Sequence, residues 1–309
     1  MDLTTSEGAR MLKSSATPQD ASSTKAELSP QASLSLPEEP LFVIEPSNSW
    51  VAINLRDLWG YRELLYFLMW RDVKVRYKQT ALGITWVVMQ PLLTTLIFTV
   101  FLGMLVRVPS DGLPYPLMAY AGLLPWTFFS GSVSTSSNSL VSSANLITKV
   151  YFPRMIIPAA AVGARLVDLG IAFVILAGMM LYYRVSLTLN FFMLPVLVVL
   201  VTLLALGFGM LTSALNVKYR DVGMILPVLI QLWMYVSPIL YPLSLIPEQW
   251  RGLYSINPMV GIVDGFRSIL LGRPFNWTAL GFSTIITIIL LIYSAYMFRR
   301  VEKGFADVI

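Results

Sequence analysis

Two ionisable side chains, Arg165 and Asp168, interrupt an otherwise apolar stretch and are the first candidates for chemistry in this chain. They stand three residues apart, which places them on one face of a helix, where they can form an ion pair. A pair that neutralises itself lowers the cost of burying both charges. A carboxylate and a guanidinium in an apolar segment can also form a proton or substrate site. The sequence leaves both interpretations open.

Two glutamines in other apolar stretches each have an aromatic residue one helical turn away. Amides within apolar segments need hydrogen-bond partners. Each helical face is therefore predicted to line a channel or, alternatively, to pack across a dimer interface through amide hydrogen bonds. The first face carries Trp86, Gln90, Thr94 and Phe101, and the second carries Gln231, Tyr235 and Pro238.

Three short segments between apolar stretches mix aromatic residues with cations, at 71–78, 149–154 and 218–220. An aromatic pair stiffened by proline and flanked by cations suits docking on a soluble partner, because aromatic and Arg anchors carry most binding energy. Anchoring at lipid headgroups would give the same composition. The docking hypothesis assigns the partner contact to Arg71, Arg76, Tyr77, Lys149, Tyr151, Phe152, Pro153, Arg154, Lys218, Tyr219 and Arg220.

Residue types on which many enzymes depend are missing from the chain. It contains no Cys and no His, which excludes disulfides, thiolate chemistry, and metal sites or proton transfer based on histidine. The dipeptide Gly-Lys does not occur, so the chain has no P-loop for a nucleotide. We therefore expect no catalytic residues, no metal and no cofactor in this chain, and an energy source in another subunit.

Composition places the chain in the membrane. Of 309 residues, 56% are hydrophobic and only 13% are charged, whereas a soluble domain carries about a quarter charged residues. The apolar residues fall into several stretches of about 20, which predicts an all-α integral membrane protein, since a barrel would alternate. The net charge of +5 comes from cations at the ends of these stretches, so nucleic acid is not an expected partner.

Six membrane spans are predicted, at 84–106, 115–141, 156–183, 191–215, 222–241 and 277–298. Lys and Arg are concentrated in the intervening segments on one side, which the positive-inside rule assigns to the cytoplasm, and both termini fall on that side. Between spans five and six, 247–254 and 259–271 have helical periodicity. They predict two short re-entrant or interfacial helices on the outer side, which form a surface cap or a gate.

The chain divides into four regions by composition. Residues 1–49 are polar and are predicted to be a disordered cytoplasmic tail. Residues 50–83 predict an amphipathic helix at the cytoplasmic interface, followed by a basic anchor beside anionic headgroups. Residues 84–298 form the six-helix transmembrane domain, and 299–309 form a short cytoplasmic tail.

Several segments together resemble the permease subunits of ABC-2 type polysaccharide exporters. The resemblance rests on 71–86 with its continuation to Leu92, on 151–154, on 216–221 and on 237–242, in that order, and it extends from about residue 55 to the C-terminus. It implies a homodimer in the inner membrane, paired with two copies of a separate ATPase that binds ATP and Mg²⁺. The cargo implied is a lipid-linked glycan such as O-antigen, capsule or teichoic acid. The long polar N-terminal tail departs from compact members of the family.

Two alternative functions remain open at this point. An ABC-2 exporter of a small lipid or drug would share the fold and differ only in cargo. A membrane-embedded glycosyltransferase would need clustered Asp or Glu residues at the membrane surface, whereas the outer segments offer only the widely separated Asp111, Glu248 and Asp264.

Overall fold

The chain forms an assembly of helices. The computed structural model describes residues 59–78, 83–110, 112–186 and 188–302, and these ranges contain no strand. The all-helical class predicted from the sequence is confirmed within them. The predicted tail at 1–49 lies outside the described residues, as do 50–58 and 303–309 of the neighbouring regions.

Ten α-helices are numbered here in chain order. They are α1 (Arg62–Lys78), α2 (Gly83–Phe98), α3 (Tyr115–Ser142), α4 (Ala144–Lys149), α5 (Ile156–Tyr182), α6 (Leu194–Lys218), α7 (Val222–Val236), α8 (Glu248–Tyr254), α9 (Pro258–Leu271) and α10 (Trp277–Glu302). A π-helical segment, Thr99–Leu105, continues α2, and a 3₁₀ turn, Leu189–Met193, leads into α6.

Four segments of the described residues are long and apolar enough to cross a membrane: Thr85–Leu105, Ile156–Tyr182, Leu189–Lys218 and Trp277–Glu302. The other two predicted spans correspond to α3 and α7. Helix α3 has 28 residues but is rich in serine. Helix α7 has 15 residues, which at 1.5 Å per residue reach about 22 Å, less than the hydrocarbon thickness of about 30 Å. Six crossings therefore stay a prediction.

The fifth predicted span ends earlier than expected. Helix α7 stops at Val236, and Ser237 is extended, with φ −94° and ψ 146°. The helical conformation is disfavoured for the residue before a proline, and Pro238 favours the extended conformation of Ser237, although Pro227 is accommodated inside the same helix. The prediction that Pro238 shares a helical face with Gln231 and Tyr235 is therefore wrong, because Pro238 lies in a buried turn beyond the helix.

Helix α3 is the central helix of the fold. Nineteen of its 28 residues are buried, and it packs against α5, α6 and α9. Small residues permit the close approach, as expected for helices that associate in lipid. At Gly209 of α6, for example, an added Cβ would stand 2.5 Å from the Oγ of Ser136 in α3.

Helix α1 packs along the first half of α5. Its Leu68 is buried in a cluster that also contains Ile156 and Phe298, and the side chain of Met69 lies against Gly163 of α5. The opposite side of α1 is exposed and aromatic, with Trp59 in the preceding turn, and Phe67 and Trp70 on the helix. Because apolar residues lie on both sides of α1, the amphipathic interface helix predicted for 50–83 stays a prediction.

The two short helices predicted before the last span are present as α8 and α9. Asn257 caps α9, since its Oδ1 accepts a hydrogen bond from the backbone N–H of Met259 at 3.0 Å. Helix α8 exposes Trp250 and Leu253. Helix α9 is a core element, with Ile262 and Phe266 buried against the rest of the fold. Their placement relative to a lipid leaflet stays a prediction.

Candidate functional site

A charged cluster joins α1 to α5. Asp168 of α5 accepts hydrogen bonds on Oδ2 from the Nη1 of Arg76 at 2.7 Å and from the Nη1 of Arg165 at 3.2 Å. Its Oδ1 accepts the hydroxyl hydrogen of Tyr77. Burial, reinforced by this bond to Asp168, raises the pKa of Tyr77, so the phenol stays a hydrogen-bond donor at neutral pH. The carboxylate is therefore held by three donors from two helices.

The same cluster extends to α3. Arg165 donates from Nε and from Nη2 to the hydroxyl oxygen of Thr135, at 3.1 and 2.7 Å. A Cβ added to Gly131, one turn before Thr135, would stand 3.2 Å from the Nη1 of Arg165, so glycine keeps the space that the guanidinium occupies. The predicted pair of Arg165 and Asp168 is thus part of a five-residue cluster.

The sequence did not indicate the other members of this cluster. Arg76 and Tyr77 were assigned to a partner contact, but their side chains are engaged with Asp168, more than 90 positions further along the chain. Sequence spacing carries no signal for such a contact, which depends on α1 packing against α5. Thr135 was equally unmarked among the hydroxyl residues of α3.

A cleft of 330 Å³ opens beside the cluster, between α2, α3 and α5. Its polar lining consists of Gln90, Thr94, Thr127, Ser130, Arg165 and Asp168. The cleft thus brings the charged pair together with two residues of the first predicted channel face. Trp86 of that face, on α2, is 59% exposed, and Phe101, in the π-helical segment that continues α2, is 57% exposed.

The second predicted face lies apart from this cleft. Gln231 and Tyr235 are exposed on α7, and neither residue is among those that line the cleft. Whether the exposed faces of α2 and α7 form a channel wall or a dimer interface stays a prediction.

The aromatic pair of the segment 149–154 divides between surface and core. Tyr151 is 88% exposed, whereas Phe152 is only 5% exposed and packs in the cluster that contains Leu68 and Met155. Phe152 therefore does not form an exposed knob with Tyr151. The two neighbours therefore differ in role, since Phe152, at a bend, packs in the core and Tyr151 lies at the surface.

Other residues of the docking hypothesis also differ in how far they are available to a partner. Arg154 is tied to the end of α10, where its backbone N–H donates to Oε1 of Glu302 at 3.0 Å and its Nη1 donates to the Glu302 carbonyl at 2.8 Å. Pro153 is half-buried, and Arg71 forms an ion pair with Asp72 at 2.9 Å. The side chains that remain exposed are Lys149, Tyr151, Lys218, Tyr219 and Arg220.

Buried Asn216 positions the turn that carries three of these exposed side chains. Its Nδ2 donates to the carbonyl of Ser137 at 3.0 Å and to Oδ1 of Asn138 at 3.2 Å, both in α3. Its own Oδ1 accepts from the backbone N–H of Gly223 in α7 at 3.0 Å. At the end of α6, the Nζ of Lys218 lies 5.1 Å from the centre of the Tyr219 ring. The turn between α6 and α7 is thereby fixed to α3.

A second polar anchor holds the turn after α7. Arg267 of α9 is buried and donates to three carbonyls of that turn: from Nη1 to Pro238 at 2.8 Å and to Tyr241 at 2.9 Å, and from Nη2 to Ile239 at 2.6 Å. A Cβ at Gly122 of α3 would overlap the carbonyl oxygen of Ile239. In the sequence, the signal for this role is an arginine among apolar residues of the predicted helix 259–271.

Span-length apolar helices, a partly buried charged cluster between helices, and exposed basic and aromatic side chains on the turns define a multi-pass helical membrane protein. The comparison with known proteins gives its family. The model of the ABC-2 type transporter family matches residues 63–271. The chain belongs to this family.

Named relatives match most of the chain. It is 31% identical over 219 residues to the O-antigen export system permease protein RfbA of Myxococcus xanthus, which covers 70% of this chain and 83% of that protein. It is 26% identical over 261 residues to a protein of the same name from Klebsiella pneumoniae, covering 84% and 100%. It is 23% identical over 244 residues to the polysialic acid transport protein KpsM of Escherichia coli, covering 77% and 93%.

Proposed function

We propose that this chain is the transmembrane permease subunit of an ATP-driven exporter of a lipid-linked polysaccharide. The observation that carries the proposal is the similarity over nearly the full length of relatives named as export permeases for O-antigen and as a transport protein for polysialic acid. The chain itself hydrolyses nothing. Two copies of a separate ATPase supply the energy and bind ATP and Mg²⁺.

The proposed assembly is a homodimer in the inner membrane, with six crossings per subunit and both termini in the cytoplasm. The exposed faces of α2 and α7 support this arrangement, because Trp86 and Phe101 on one and Gln231 and Tyr235 on the other present aromatic rings and an amide on the outside of the subunit. Facing a second subunit, such surfaces suit a sugar chain that slides without being held tightly. Packing of the same faces against each other is the competing use.

The proposed contact with the ATPase lies on two turns. One precedes α5, and the other joins α6 to α7. Lys149, Tyr151 and Arg220 are exposed there. The hydrogen bonds of Asn216 connect the turn after α6 to α3 and α7, and the bonds of Arg154 connect the turn before α5 to α10. A displacement of these turns by a partner would therefore reach most of the helices of the subunit.

Depletion of the chain in cells tests the proposal against its alternatives. We expect the lipid-linked polysaccharide to disappear from the cell surface and to accumulate inside, and plasmid-borne chain to reverse both changes. Loss of the polysaccharide without internal accumulation would indicate a glycosyltransferase instead. An unchanged surface polysaccharide would indicate another cargo, such as a small lipid or a drug, and would refute the proposal.

A further inference from the structure

Buried Asn216 joins three helices at the turn between α6 and α7. It belongs to α6 and its side chain is only 4% exposed. Its Nδ2 donates to the Ser137 carbonyl and to Oδ1 of Asn138 in α3, and its Oδ1 accepts from the backbone N–H of Gly223 in α7. A buried amide that loses a partner keeps an unsatisfied group away from water, which is costly. The three contacts of Asn216 therefore resist separation.

These contacts form a chain of hydrogen bonds that crosses from α7 to α3. Asn138, which accepts from Asn216, itself donates from Nδ2 to the carbonyl of Ser134, one turn earlier in α3. Hydrogen bonds in such a chain polarise and strengthen one another. A Cβ added to Gly223 would stand 3.2 Å from Oδ1 of Asn216 and 3.3 Å from Oδ1 of Asn138, so the α7 end of the chain is tightly packed. A displacement of Asn216 therefore acts directly on the start of α7.

Helix α7 has little buried surface between its two ends. Ile230 is buried, whereas Met224 and Leu232 are largely exposed. Near the other end, the Nε1 of Trp233 donates to Oδ1 of Asn257 at 3.1 Å. Elements with few buried apolar contacts are those that move most easily within a fold. Helix α7 is thus an element that can respond to a force applied at its first turn.

We propose that Asn216 is the positioning residue through which the exposed turn 218–220 acts on α7. The inference rests on the proposed function, because the force on the turn comes from the ATPase. A partner that displaces the exposed side chains of the turn displaces Asn216, and Asn216 shifts the start of α7 against α3, the central helix. The exposed face of α7 then changes its position relative to the rest of the subunit.

The test uses the full chain in nanodiscs with the ATPase that co-purifies with it from native membranes, with and without a non-hydrolysable ATP analogue. The reporter is Leu232→Cys, at an exposed position of α7 in a chain that has no cysteine of its own. The analogue should change the rate at which a maleimide labels the reporter by about fivefold or more, as couplings between sites typically do. Asn216→Ala should abolish this change and leave the affinity for the ATPase unaltered.

Asn190→Ala is the matched control. The Nδ2 of Asn190 also donates to two carbonyls, those of Ser268 at 3.2 Å and Arg273 at 2.7 Å, but Asn190 lies before α6, at the opposite end of that helix. Its replacement should lower the unfolding temperature and leave the response of the reporter intact. Gly223→Ala disturbs the Asn216 contact from the α7 side. It should also abolish the response, and it replaces Asn216→Ala if thermal unfolding shows that variant to be unfolded.

Three results would overturn the inference. One is a full response of the reporter in folded Asn216→Ala. Another is a weakened affinity of Asn216→Ala for the ATPase, which would make the amide a support of the docking surface only. The third is an equal loss of response in Asn190→Ala, which would be a general effect of destabilisation.

The unaltered chain distinguishes this inference from the proposed function. If the ATPase binds it and the reporter does not respond to the analogue, the role of Asn216 is refuted and the proposed function stands. If no ATPase co-purifies with the chain, the proposed function is refuted and the inference fails with it.

Discussion

Tyr151 and Phe152 are consecutive residues with different predicted roles. Replacing them one at a time separates the proposed partner contact of Tyr151 from the packing contact of Phe152. Tyr151 is 88% exposed, so Tyr151→Ala removes almost no contact within the subunit, and its stability should change by less than about 0.5 kcal/mol. Phe152 is 5% exposed and packs with Leu68, Met155 and Phe298. Phe152→Ala should therefore destabilise the subunit by about 3–5 kcal/mol, as large-to-small changes in a core do.

The effects on the ATPase should have the opposite order. An aromatic anchor at the centre of a protein interface contributes about 2 kcal/mol or more when truncated, which corresponds to a loss of affinity of about thirtyfold. Tyr151→Ala is therefore expected to bind the ATPase weakly while it unfolds at the same temperature as the unaltered chain.

The measurement is a titration of the ATPase onto the purified permease, together with thermal unfolding of each variant in the same detergent. Asn145→Ala, at an exposed position of α4 that is not assigned to the contact, serves as the control. If Tyr151→Ala binds the ATPase as the unaltered chain does, the exposed turn is not the docking surface. If Phe152→Ala retains full stability, the burial argument fails.

Three further predictions follow from the topology and packing. A cysteine at Ser186 should react with an impermeant maleimide in intact cells and one at Val150 should not, and the reverse pattern would invert the predicted orientation; the native chain contributes no cysteine of its own. A cysteine at Gln231 should be protected by polymer trapped in the exporter, whereas direct cross-linking between subunits with export unaffected would make this face a dimer contact. Gly122→Ala should lower the unfolding temperature because its Cβ overlaps a carbonyl of the turn after α7, while Gly170→Ala, which meets nothing within 4 Å, should leave it unchanged or raise it.

Helix positions were predictable because they depend on local periodicity. The limits of α5 and α10, and both short helices before the last span, agree with the predicted segments within a few residues. The end of α7 at Val236 was not predicted. The apolar run continues across Pro238, and the predicted span was extended with it. Hydropathy does not mark a helix end within an apolar run, and a proline alone is ambiguous, since Pro227 lies inside the same helix.

Contacts between distant segments were not predictable. Nothing in the spacing of Arg76 and Asp168 marks them as partners, because that contact exists only once α1 lies against α5. The hydrogen bond from Arg267 to the carbonyl of Pro238 was equally unpredictable. It depends on a cation of the predicted outer segment being buried in the fold. Composition also does not indicate which of two neighbouring aromatic residues is buried, and Phe152 rather than Tyr151 is the buried one.

The central position of α3 has a consequence for biogenesis. Its serines make it less apolar than its neighbours, and the helices that cover it, α5, α6 and α9, are all synthesised later. For the predicted crossing of α3, marginal hydrophobicity means that retention in the bilayer depends on packing against these later helices. A chain truncated after α3 should therefore be retained poorly in the membrane, and chains extended through α6 should be retained well.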